Sequence, residues 1–164
     1  MHSVVARYQA MEQVQPGLLL YALVDGYQYE QHMGERIPYQ PATDRPLFFG
    51  TEYAALADAG PWLINIADIT AQVPPMDALE RALPSVSWLI TPVGLDGLAQ
   101  LLQLKLDARL PDGRRVLLRF YDPRVLGNLN ATLDRRQRLR FFDCIDEWHF
   151  LRHGERIIAR YEHA

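Results

Sequence analysis

Apolar residues are spread along this chain in short runs and stripes, and the period of each one predicts an element. Leu18 to Val24 is a continuous apolar run closed by Asp25-Gly26, the pattern of a strand covered on both faces. Trp62 to Ile66 after Gly60-Pro61 and Val86 to Thr91 repeat the pattern. Val116 to Tyr121 is a fourth such run, and the turn residues Pro111-Asp112-Gly113 pair it in a hairpin with Leu106 to Leu110. Leu47 to Phe49 and Ile157 to Tyr161 are shorter strand candidates.

Helical spacing fills the intervals. Val4, Val5, Tyr8, Met11 and Glu12 predict an amphipathic helix over Met1 to Gln15, stopped by Pro16-Gly17. Leu95, Leu98, Leu102 and Leu106 share one face of a helix over Asp96 to Leu106. Shorter helices are expected over Glu52 to Ala59, over Asp77 to Ala82 following Pro74-Pro75, and from Asp122-Pro123, where Asp caps and Pro starts the first turn. Thr132 to Phe142 reads as the last long helix. Tyr27 to Asp44, polar with interleaved aromatics and limited by Pro38 and Pro41, reads as a loop holding a short helix. Strands alternating with helices predict one α/β domain over 1–164, a central mixed sheet flanked by helices.

Composition narrows the function. A chain of 164 residues with 49% hydrophobic and 23% charged residues can bury one substantial core and lies far from the disordered regime. A net charge of -3 provides no global positive field, so nucleic acid is not the expected partner. The only cysteine, Cys144, excludes an internal disulfide and fits a reducing, cytoplasmic setting. Arg7, Glu12 and several glutamines stand where a signal peptide needs an apolar stretch, and no window reaches membrane-span length, so neither a classical export signal nor a membrane partner is expected.

Few residues suggest chemistry. Cys144, Asp146 and His149 are close in sequence, but Phe141, Phe142, Ile145 and Trp148 around them favour a small buried cysteine over a nucleophile. Asp25 and Asp122 each follow an apolar run, where α/β enzymes place metal or acid-base groups, and a metal-dependent hydrolase is one alternative. Turn formation by Asp25 and helix capping by Asp122 account for them more simply. Arg119, inside an apolar run, requires an acidic partner, for which Asp25 is the candidate. Arg135, Arg136, Arg138 and Arg140 offer a basic stripe for RNA, a second alternative, or a solvated face whose charge Asp134, Asp143, Asp146 and Glu147 nearly cancel. There is no Gly-rich phosphate loop or Gly-x-Ser-x-Gly elbow, and His2, His32, His149, His153 and His163 lack metal-ligand spacing. No catalytic residue, metal ligand or cofactor is therefore expected.

Several segments together resemble the type VI secretion effector adaptor-chaperone family (Tap/TEC-like). They are Tyr21 to Asp25, Gly60 to Leu63 around Trp62, Ser85 to Thr91 around Trp88, Pro111 to Arg115, Leu118 to Leu126, and Phe141-Phe142 with Trp148. Arg119-Phe120-Tyr121-Asp122-Pro123-Arg124-Val125 is the most specific of them. Leu89 stands where relatives usually have Gly after the matching Trp. The likeness spans about Leu18 to Phe150. It implies a non-catalytic protein that binds a toxin effector and helps mount it on the spike (VgrG-type) protein. Within that reading Asp25, Trp62, Trp88, Arg119, Tyr121, Asp122, Pro123 and Arg124 are structural signature positions. Tyr27, Tyr29 and Tyr39, with Arg135 and Arg138 on the final helix, are the expected partner contacts, since Tyr, Trp and Arg make favoured interface anchors.

Overall fold

The computed structural model describes residues 2–161; Met1 and His163 lie outside the described residues. Leu19–Asp25 forms β1, the strand its apolar run predicts, and lies deep in a six-stranded sheet. Pro61–Asn65 (β3) pairs on one side of it and Val86–Thr91 (β4) on the other. Asp44–Pro46 (β2) closes one edge, and Glu147–Arg152 (β7) and Glu155–Ala159 (β8) complete the order β2-β3-β1-β4-β7-β8. The α/β class holds. Where a mixed sheet was expected, each pairing is antiparallel. Alternation of strands with helices predicts which elements exist, whereas direction is set by how each connection lies on the sheet.

Because successive side chains point to opposite faces, β1 divides the core in two. Tyr21 and Leu23 join Leu63, Leu89, Trp148 and Phe150 on one face, under α4 (Leu95–Lys105) and α5 (Pro123–Thr132). Leu20, Ala22 and Val24 join Trp62, Ile64, Trp88 and Ile90 on the other, under α1 (Ser3–Val14) and α3 (Ile69–Ala82). Each fully buried Leu, Ile or Phe contributes roughly 1.5–3 kcal/mol. This two-faced burial is why β1 reads as an unbroken apolar run.

Three expectations are corrected. Val116 to Tyr121 is not a central strand: Arg115–Leu117 (β6) pairs only with Asp107–Arg109 (β5) in a separate hairpin, after which Phe120 and Tyr121 turn into the core. The central place falls to β7, whose Glu147 and His149 interrupt the apolar pattern that would have identified it. Leu47 to Phe49 is a turn following β2. The helix expected over Thr132 to Phe142 is broken at Leu133-Asp134, and Asp134 with Gln137 builds a capping box that starts α6 (Arg135–Phe141).

Two local features position the rest. Helix α3 begins at Asp68, which caps Ala71, and runs through Pro74 and Pro75. Thr70 and Ala71, whose carbonyls lose their intrahelical donors there, are exposed, so water can serve them. Gly26 opens α2 (Gly26–Met33) against the 3-10 helix Ala54–Ala59, its N–H bonding the Gly60 carbonyl at 2.8 Å. A Cβ at Gly26 would stand 2.1 Å from the Asp58 carbonyl oxygen, which excludes any side chain.

Candidate functional site

The two aspartates proposed for metal chemistry are both helix caps. Asp25, buried at the end of β1, accepts from the amides of Tyr27 at 3.0 Å and Gln28 at 3.4 Å. Asp122 accepts from the Arg124 amide at 2.9 Å and from its guanidinium at 3.1 and 2.8 Å. Burial raises the Asp25 carboxyl, the two amides and Arg119 act against it, and Asp122 adds to the rise. Asp25, Arg119 and Asp122 are thus brought within electrostatic reach of one another. The buried Arg119–Asp25 ion pair is not formed: Arg119 is exposed and lies over the Tyr121 ring at 5.7 Å. The strand that would have buried it ends at Leu117. Pro123 is buried at the first turn of α5, and Trp62 and Trp88 are core residues with bonded indoles.

Cys144 is exposed, with a left-handed φ of 67°, and not the buried residue its neighbours suggested. Partial desolvation and Asp143 raise its thiol, the reverse of nucleophile activation. His149 is buried on β7, bonded to Glu147 at 3.1 Å. Desolvation brings its pKa down to about 4 although Glu147 opposes this, so the ring is neutral at pH 7.

Glu147 belongs to a charged cluster that no sequence spacing reveals. It lies where α1 and α3 cover the β4, β7 and β8 side of the sheet. Arg7 donates to Glu147 at 2.7 Å and Arg160 donates to it at 3.1 Å. Arg156 grips Glu80 of α3 at 2.7 and 2.8 Å, and Trp88 donates to the same carboxylate at 3.1 Å. Burial alone would raise both carboxyls. The guanidiniums outweigh it and hold both below the ordinary glutamate value. The residues come from five elements, α1, α3, β4, β7 and β8 with the residue after it, which is why they are invisible in sequence.

The expected partner contacts divide. Tyr27 is 53% exposed on α2 and Tyr39 is 46% exposed, its ring edge-on to Phe49 at 6.0 Å and to Trp62 at 5.9 Å. Tyr29 is partly buried and packs against the core. Phe49, 48% exposed against Tyr39, and Leu56, 61% exposed on the 3-10 helix that packs beside α2, are further exposed apolar side chains and were missed, because each sat inside a run read as ordinary structure. Arg135 is exposed on α6. Arg138 is a correction: only 2% exposed, it donates to the carbonyl of Arg160 at 2.8 Å and to Asn130 Oδ1 at 2.9 Å, with its guanidinium over Phe142 at 5.2 Å. It pins α6 to α5 and to the end of β8. The sequence stripe Arg135 to Arg140 is therefore split, one residue turned inward and the rest solvated.

A cleft of about 450 Å³ runs from the end of α3 past Pro123, Arg124 and Asn128 to the β7–β8 turn. Among the described residues no helix is long and apolar enough to cross a membrane. No curated protein and no solved structure matches the chain. A family model does, across β1 to α6 and through both Asp25 and the Arg119 to Val125 run. With residues 20–140 matched, the chain belongs to the family described as a domain of unknown function, DUF4123.

Proposed function

We propose that this protein is an adaptor-chaperone of type VI secretion that binds a specific toxin effector in the cytoplasm and helps load it onto the spike (VgrG-type) protein, acting by binding and not by catalysis. The observation that carries this reading is the family: DUF4123 is linked to type VI secretion effector adaptors. The site geometry supports it. Asp25 and Asp122 are occupied as caps and Cys144 is not activated, while Tyr27, Tyr39, Phe49 and Leu56 expose the aromatic and aliphatic side chains that protein interfaces use. These four lie on α2, the adjoining 3-10 helix and the loops beside the β2 edge.

A toxin gene is expected beside this one, and co-expression of the two tests the reading. The pair should co-purify and the toxin's soluble yield should rise; failure of both would overturn it.

A further inference from the structure

His2, Asp77 and Glu80 meet where the start of α1 crosses α3. Nε2 of His2 lies 3.3 Å from Asp77 Oδ1 and 3.5 Å from Glu80 Oε1, and one donor atom from each of the three residues falls within 4.8 Å of the others. The His2 side chain is only 8% exposed, yet neither ring nitrogen makes a hydrogen bond. A buried imidazole at ion-pair distance from two carboxylates, with no well-formed hydrogen bond to either, is a donor set that one shared cation would complete.

We propose that these three residues form a binding site for one divalent transition cation, zinc being the best fit. Zinc binds nitrogen and carboxylate oxygen at about 2.0–2.1 Å, which places tetrahedral ligands about 3.4 Å apart. The two His2 separations bracket that value. Asp77 and Glu80 are three residues apart on one helix and so share a face. Each carboxylate is also held through both of its oxygens by a guanidinium, Glu80 by Arg156 at 2.7 and 2.8 Å, with Trp88 donating at 3.1 Å, and Asp77 by Arg81 at 3.2 Å. Such outer partners orient ligands for a metal. The His2 ring also lies 4.9 Å from the Trp88 ring, which fixes its plane.

Arg81 and Arg156 offset the two carboxylate charges, so the site lacks the excess negative charge that calcium or magnesium needs. The imidazole selects for a softer cation. His2 and Asp77 line a cleft of about 570 Å³, together with Ser3, Arg81 and Leu151, through which a cation can reach them. A bound cation would clamp the start of α1 to α3.

The test uses the untagged chain carrying Cys144→Ser, so that the exposed thiol cannot bind metal, titrated with Zn²⁺ against a chromogenic chelator. One Zn²⁺ per chain is expected, with a rise in melting temperature that a chelator reverses. His2→Ala and Asp77→Asn should each weaken binding about tenfold or more and abolish the rise, while His153→Ala, in the exposed β7–β8 turn, should change neither. The proposal is overturned if the parent takes up no stoichiometric Zn²⁺, or if His2→Ala and Asp77→Asn, shown folded by their melting curves, bind it as tightly as the parent. Neither result bears on effector binding, which is read separately by co-purification.

Discussion

Arg156 of β8 reaches across the sheet to hold Glu80 of α3 through two nitrogens, at 2.7 and 2.8 Å. The pair joins the last strand to the helix that covers the opposite half of the chain. Glu80 is almost fully buried, so removing Arg156 leaves its carboxylate with only the Trp88 indole N–H and the nearby His2 ring. Arg156→Ala should cost about 3–5 kcal/mol in urea unfolding. Replacing both residues with apolar ones, Arg156→Met with Glu80→Leu, should recover much of that loss; a double variant as unstable as the single would refute the account.

His149 gives the fold a pH dependence of known sign. Its folded-state pKa of about 4 lies below its ordinary 6.5, so the unfolded chain takes up a proton that the folded chain refuses. Stability from this group is complete above pH 6.5 and is lost as pH falls from there through about 4, by up to roughly 3 kcal/mol. Glu80 and Glu147, held below their ordinary value, withdraw their own contributions at lower pH still. Melting temperature followed from pH 8 to 4 should therefore begin to drop near 6.5, and His149→Gln should flatten that first decline.

Arg138 and Arg135 test the division of the arginine stripe. Arg138→Ala strands the bonds to Asn130 and Arg160 and uncovers Phe142, and should cost about 2–3 kcal/mol. Arg135→Ala, on the exposed side, should stay within about 0.5 kcal/mol. Equal effects in thermal unfolding would contradict the burial difference.

Asp122→Asn keeps an acceptor for the Arg124 amide, so it should lose little stability and no partner binding. Asp122→Ala should cost about 1 kcal/mol. A folded Asn variant that no longer responded to a divalent metal would instead revive the hydrolase alternative.

The exposed apolar surface makes the sharpest functional prediction. Phe49→Arg and Leu56→Arg should leave the melting temperature nearly unchanged and reduce effector co-purification about tenfold or more. Tyr29→Ala is a poor probe, because its contacts with the core make loss of stability the expected effect. Unchanged co-purification by both arginine variants would move the contact surface elsewhere on the protein.

Much of the fold was legible because it rests on local pattern. A run of apolar residues long enough for a strand, as at Leu18 to Val24 and Val86 to Thr91, is buried on both faces wherever it lies in the sheet. The caps Asp25 and Asp122 act on amides two or three residues away, so their roles were readable from their neighbours. The family resemblance, carried by short consecutive segments, was legible for the same reason.

What the tertiary structure decided depends on partners distant in sequence. Strand direction, the transfer of the central place from Val116 to Tyr121 to the polar-interrupted β7, and the inward turn of Arg138 each follow from what packs alongside. The same holds for the meeting of His2 with Asp77 and Glu80, and of Arg156 with Glu80 across 76 positions. Periodicity reports only whether a residue faces the interior or water. Which charge waits there to meet it is set by the three-dimensional path of the chain, and on that depend both the buried ion pairs and the proposed cation site.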